Sequence, residues 1–417
     1  MKKNKILSLF IFFNFISFII GFIYLEEHGA SILDANLHTY PAIEGLRLNF
    51  FNNIVNYGKY GENSYPLHHI MHALLNPFGT GTFLYKIFSC LLSGLVLFFF
   101  YKSLNLRFKI TQIKAIFVTS LILISPYFRS SAFWGLTENT GLIFLTISIF
   151  FFNKYLKNIN LSYNLLILIS LFSSLALYSR VQYIFLCIFF YLFFLISKIL
   201  VKEKILITIF YLILSFPGLF LIFLWGGLID EQYAGEFSYF INIQAVPSTL
   251  LVIFSLIGFY SLPFILIINR NFLLLIKNFF LEYLLAFFIC VLIYIIFRVD
   301  IFFLNELRDY VYGQGFVSNL TYKITKIESS YLIFSSIGLV VLKRLFNISS
   351  KNKLIILSII SIFSLRVHFF TEYLDPLMYI LFFTLLDFNK NKILFSLKSL
   401  FILELFFVGI LIGAILI

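Results

Sequence analysis

An all-α, polytopic transmembrane helix bundle of about 12–13 spans is the fold class this sequence predicts, and three observations predict it. The 417 residues are 61% apolar and 12% charged, against about 25% charged in a soluble domain. The apolar stretches run unbroken over about fifteen residues or more, where a β-barrel strand would alternate apolar and polar positions over about ten. Lysine and arginine cluster between alternate stretches, as in cytoplasmic loops of multi-pass proteins. A soluble fold is excluded.

In chain order, the apolar runs fall at about 6–25, 82–101, 115–128, 138–153, 163–179, 182–200, 205–226, 248–268, 274–297, 330–345, 354–370, 373–386 and 396–417. Lys2, Lys3 and Lys5 precede the first, as in a signal peptide. Its length and the following Glu26-Glu27-His28 favour a retained first span. With a cytoplasmic N-terminus, the cytoplasmic connections hold 21 of the 31 basic residues against only Glu203 and Asp387. The net charge of +12 is then a topology signal, and no nucleic-acid partner is expected. Cys90, Cys187 and Cys290 each lie in an apolar run with no metal-ligand spacing, so no disulfide framework follows.

Residues 1–417 read as one integral-membrane domain, and its opposite face is the chemical one. That face has long segments at about 26–81, 227–247 and 298–329, carrying Asp34, Glu44, Glu62, Asp230, Glu231, Glu236, Asp300, Glu306 and Asp309. His28, His38, His68, His69, His72 and His368 share it. In 26–81, Ile43, Leu46, Phe50, Phe51, Ile54 and Val55 recur at helical spacing after Thr39 and Pro41, predicting an amphipathic helix on the bilayer surface. A second short helix is expected from Pro66 to Leu75, ended by Asn76-Pro77, as an interfacial helix or as a loop packed on the bundle.

Ionisable residues at the ends of membrane helices are costly and are candidates for function. On the outer side these are Arg129, Glu138, Arg180, Arg366, His368, Glu372 and Asp375, with Asp34 ahead of the amphipathic helix. Carboxylates and arginines around one mouth suit sugar transfer from a lipid phosphate. A carboxylate accepts the acceptor hydroxyl's proton, and a guanidinium matches and stabilises the departing phosphate.

The layout resembles that of the GT-C glycosyltransferases, polytopic enzymes that use polyprenyl-phosphate sugars. Leu33-Asp34-Ala35-Asn36-Leu37-His38 is similar to the Asp-Glu-x-x-His pattern in the first extracytoplasmic loop of the α-1,2-glucosyltransferases that complete the lipid-linked N-glycan precursor, with Ala35 in place of the Glu. Ser125-Pro126-Tyr127-Phe128-Arg129 and Leu136-Thr137-Glu138-Asn139 resemble the superfamily's acidic loop and helix start. Ser179-Arg180-Val181-Gln182 is similar to its arginine-bearing helix end, and Thr371-Glu372-Tyr373-Leu374-Asp375-Pro376 to its late Glu-x-Arg-Tyr segment without the Arg, whose role passes to Arg366.

The resemblance implies Asp34 as catalytic base. It implies His38, Glu138, Arg180, Gln182, Arg366, Glu372 and Asp375 as substrate or donor-phosphate contacts. The implied partners are a polyprenyl-phosphate sugar donor, a glycan or lipid-linked acceptor and membrane lipids, in a bacterial inner membrane. No cofactor is assigned. Some members of the superfamily use a metal, which leaves a divalent cation between Asp34 and a phosphate open.

Other readings attach to the same residues. Asp34 suits a helix N-cap, and Arg129, Arg180 and Arg366 suit snorkelling to lipid phosphates from helix ends. His68 and His72 stand at i and i+4, a spacing that holds zinc on a helix, without a third ligand at diagnostic spacing. Glu282 and Glu404, inside spans, fit a transporter or lipid flippase. A polysaccharide polymerase is the alternative within glycan assembly, although acidic residues outnumber basic ones in the three long segments.

Overall fold

The computed structural model describes residues 2–28, 31–60, 65–157, 163–225, 246–268, 272–299, 316–365, 371–388 and 391–416. Among them there are helices and turns and no strand. In chain order the helices are α1 (Lys2–Ile23), α2 (Ser31–Asp34), α3 (Tyr40–Leu48), α4 (Phe50–Val55), α5 (Leu67–Leu75), α6 (Phe83–Arg107), α7 (Gln112–Ser120), α8 (Pro126–Trp134), α9 (Thr137–Lys157) and α10 (Tyr163–Ser179). There follow α11 (Ile184–Ile196), α12 (Val201–Trp225), α13 (Val246–Ile268), α14 (Phe272–Ile296), α15 (Phe316–Thr325), α16 (Leu332–Phe346), α17 (Ser350–Phe363), α18 (Leu377–Thr384) and α19 (Leu397–Leu416).

Among the described residues six stretches are long and apolar enough to cross a membrane: Asn4–Ile23, Phe83–Arg107, Val201–Trp225, Val246–Ile267, Glu328–Phe346 and Leu397–Ile415. The pair Gln112–Ile124 and Pro126–Trp134 makes a seventh if taken as one broken span. The chain is an integral, multi-pass membrane protein. Several expected spans form shorter helices. The run at 373–386 becomes a 3-10 turn, Thr371–Tyr373, and the eight-residue α18, which rises only about 12 Å against a hydrocarbon core of about 30 Å. The run at 354–370 yields the 14-residue α17. The run at 115–128 stops at Ser125, because Pro126 cannot continue the preceding helix and instead opens α8.

The segment at about 26–81 contains the two expected short helices, with one correction. The amphipathic run from Tyr40 to Val55 is two helices, because Asn49 turns extended (φ −152°, ψ 90°) and its side chain caps α4 by accepting from the Asn52 amide at 3.2 Å. Helix α5 ends at Asn76. Glu62 of this segment, and Asp230, Glu231, Glu236, Asp300, Glu306 and Asp309 of the other two long segments, lie outside the described residues, as do Arg366 and His368.

The chain divides into two units. One comprises residues 1–17, 110–127 and 239–417. Its centre is α13, where 78% of the most apolar window is buried. Helix α16 crosses α13 at Gly258 and Gly338: a Cβ on either glycine would run into the backbone of the facing helix. Close backbone approach through small residues is how helices pack where no hydrophobic effect drives them together, and Ser335 Oγ adds a hydrogen bond to Leu251 O at 2.8 Å. The other unit comprises residues 18–109 and 128–238. Within it α9 packs on α6 and α10, α10 on α12, and α3 on α5. Trp225, ending α12, stacks on Tyr57 and donates Nε1 to Ile54 O at 3.0 Å, tying the segment after α4 to α12.

Candidate active site

Asp34 lies on a continuous helical stretch, Ser31–Leu48, that is interrupted by a π turn at Ala35–Thr39. Such turns are rare and concentrate at functional sites. Asp34 has helical dihedrals (φ −58°, ψ −43°), and its half-buried carboxylate makes no cap hydrogen bond. The N-cap reading is therefore not realised. Ala35 is fully buried in a cluster that includes Tyr40, Tyr85 and Phe133. His38 Nδ1 lies 2.9 Å from the Tyr60 carbonyl. A carbonyl only accepts, so Nδ1 carries the hydrogen. The Tyr60 hydroxyl in turn donates to Asn53 Oδ1 at 2.6 Å.

Glu138 and Arg180 form an ion pair. Glu138 sits in the first turn of α9, where the helix dipole favours a carboxylate, and accepts from Ser131 Oγ at 3.3 Å. Arg180 follows α10 in extended backbone (φ −153°, ψ 114°) and donates to Thr137 Oγ1 at 2.7 Å. Gly141 permits this approach, since a Cβ there would strike the Tyr183 ring. Gln182 is buried two residues beyond Arg180. Snorkelling does not describe Arg180: its guanidinium turns inward to a carboxylate.

Helix α5 presents His68, His69 and His72 to the interior, each almost fully buried. His68 Nδ1 is 2.8 Å from Thr140 Oγ1, two residues after Glu138, and His69 Nδ1 is 2.6 Å from the Tyr57 hydroxyl. The His68 and His72 rings are 4.5 Å apart. Burial drives the His68 imidazole well below its usual range, reinforced by His72, His69 and Arg180. Burial also pushes His72 down to about 3, with His69 and Arg47 adding to the effect. Both are neutral at neutral pH. Among the described residues no three His, Cys, Asp or Glu side chains are placed to hold a metal ion.

Sequence reasoning offered Arg129 only as a helix-end arginine, and the structure gives it a larger role. It is completely buried and pairs with Glu26 at 2.8 Å. Around it the His28 amide donates to Ser130 Oγ (3.0 Å), Ser130 Oγ to Ser31 Oγ (2.6 Å) and Ser31 Oγ to His28 O (2.6 Å). Trp134 Nε1 donates to Glu26 O at 3.3 Å. This lattice fixes the start of α2, the helix that ends at Asp34. Both charges flank apolar runs on the face assigned as outer, which was the available signal. Their separation in sequence hid the pairing.

Asp34, His38, Glu138, Arg180 and Gln182 belong to one unit, and Glu372 and Asp375 to the other. Asp375 is buried and accepts from Ser125 Oγ at 2.7 Å, while Glu372 is half-buried on the Thr371–Tyr373 turn. In that same unit Glu282 meets Lys343 (3.6 Å) and Arg344 (3.2 Å), and buried Glu404 accepts from Asn14 Nδ2 at 3.3 Å.

No protein-family model, curated protein or solved structure matches the chain.

Proposed function

We propose that the chain is a membrane glycosyltransferase that moves a sugar from a polyprenyl-phosphate donor to a glycan or lipid-linked acceptor at the extracytoplasmic face. The observation that carries this reading is Asp34: a half-buried carboxylate at the end of α2, directly before a π turn, with the start of α2 held by the Glu26–Arg129 lattice. The Glu138–Arg180 pair in the same unit supports it.

In this reading Asp34 accepts the proton of the acceptor hydroxyl as the hydroxyl oxygen bonds to the anomeric carbon. The bond from that carbon to the phosphate oxygen breaks, and polyprenyl phosphate departs with the electron pair. Arg180, oriented by Glu138 and Thr137, supplies the positive charge that stabilises the departing phosphate. The neutral histidines of α5 add no competing charge.

The test is reconstitution of the purified protein in vesicles with a panel of polyprenyl-phosphate sugars and extracted envelope glycans as acceptors. Acceptor-dependent release of polyprenyl phosphate from at least one donor is expected, and Arg180→Ala should raise the donor concentration needed. Absence of release from every donor, by protein that remains folded, contradicts the reading.

A further inference from the structure

Within the unit of residues 1–17, 110–127 and 239–417, three helices each bring one polar side chain to a common buried point. Asn14 of α1 is 2% exposed, although Phe12, Phe13 and Phe15 beside it face outward. Ser120, ending α7, and Glu404 of α19 are buried as well. Asn14 Nδ2 lies 3.1 Å from Ser120 Oγ and 3.3 Å from Glu404 Oε2. The Ser120 hydroxyl donates its hydrogen to Phe117 O at 2.8 Å, which leaves its lone pairs for the other two groups.

Aromatic rings close the point on both sides. One turn earlier on the three helices, Phe10 packs on Phe117 and Phe401, with ring centroids 6.2 and 6.1 Å apart. One turn later on α19, Phe407 packs on Tyr379 at 4.8 Å, and the Tyr379 hydroxyl donates to Val118 O at 2.8 Å. Among the described residues Glu404 pairs with no lysine, arginine or histidine, and the other titratable group facing it is the Tyr379 phenol. An ionised carboxylate inside a span requires a positive partner. The chain supplies none there, so the partner comes from outside.

The three side chains select that partner. Carboxylate, amide carbonyl and hydroxyl are hard oxygen donors, the ligands of alkali and alkaline-earth ions. A half-turn of the Asn14 amide exchanges Oδ1 for Nδ2 and leaves oxygens separated by the same 3.1 and 3.3 Å. Neighbouring oxygens around an ion held at about 2.4 Å stand about 3.4 Å apart in an octahedron, a spacing that fits sodium and is tight for potassium. One carboxylate balances one positive charge, which favours a monovalent ion over calcium. A proton alone would neutralise Glu404 but would leave Asn14 and Ser120 with no part beyond joining helices.

We propose that Glu404, Asn14 and Ser120 form a sodium-ion site that joins α1, α7 and α19. The site lies in a different unit from Asp34 and Arg180 and does not depend on sugar transfer.

The experiment uses the full-length protein in detergent, with sodium chloride compared against potassium and choline chloride at equal ionic strength. Purified protein should bind radioactive sodium at one ion per chain, and unlabelled sodium should displace it where potassium does not. Glu404→Gln should abolish that binding, and Asn14→Ala or Ser120→Ala should weaken it at least about tenfold. A hydrophobic carbodiimide, which attacks protonated carboxyl groups in apolar surroundings, locates the ion on the unmutated chain through mass spectrometry of the Glu404 peptide. Sodium at about ten times its dissociation constant leaves about a tenth of the sites free, so modification should slow about tenfold. Modification that ignores sodium identifies a carboxyl group that takes a proton alone and overturns the proposal. Equal protection by potassium, absence of sodium binding by the parent protein, or unchanged binding in Glu404→Gln overturns it too.

Discussion

Replacing Glu138 by Gln tests whether the Glu138–Arg180 pair organises the site. The two side chains are 10% and 15% exposed, so removing the carboxylate strands a guanidinium in a nearly dry position. Breaking a fully buried pair costs about 3–5 kcal/mol. Arg180 keeps its bond to Thr137 at 2.7 Å and some water contact, which lowers the expectation to about 2–3 kcal/mol, or roughly 5–10 °C in melting temperature for a unit of this size. Both tryptophans, Trp134 and Trp225, lie in this unit, so a melt followed by tryptophan emission reports on it directly. Removing both charges, in Glu138→Gln with Arg180→Met, should recover most of the loss, because the penalty belongs to the stranded charge. A Glu138→Gln melt within about 1 °C of the parent, or a double variant as unstable as the single one, would refute the reasoning.

Acidification should destabilise the same unit. His72 is held to about 3 when folded against an ordinary value of 6.5, so between those pH values the unfolded chain binds a proton that the folded chain refuses. Stability therefore falls as pH drops from 6.5, by about 2 kcal/mol from His72 at pH 5. His72→Gln should flatten the dependence of the tryptophan melt on pH. In the other unit, Gly338→Val would drive a side chain into the backbone near Phe254 and cost about 2 kcal/mol or more. Faster amide exchange across α13 is its readout. Asn352→Ala removes bonds to Leu345 O (3.0 Å), Asp387 O (3.0 Å) and the Asp387 amide (2.8 Å). A thermal stability loss of about 2–4 kcal/mol is expected.

The helical, membrane-spanning class was legible because burial in lipid leaves a compositional trace that no packing detail can erase: long apolar runs with cations between them. Helix breaks are hidden by the apolar spacing: the run at 115–128 continues through Pro126, which opens α8, and Asn49 divides the amphipathic stretch through a cap that the spacing does not reveal. At the site, Asp34, Glu138 and Arg180 were visible as charges beside oily runs. The π turn that follows Asp34 was not, since no local residue pattern marks it. Glu26 with Arg129 and Asn14 with Glu404 are contacts across long sequence separations.

The most direct measurement is sugar transfer by Asp34→Asn in vesicles, beside the parent protein, with a polyprenyl-phosphate donor that the parent uses. The substitution keeps the shape of a half-buried side chain, and a tryptophan melt close to the parent's identifies the folded variant. With the proton acceptor gone, turnover should fall by at least about 100-fold while donor binding persists. Transfer at the parental rate by folded Asp34→Asn would contradict the account.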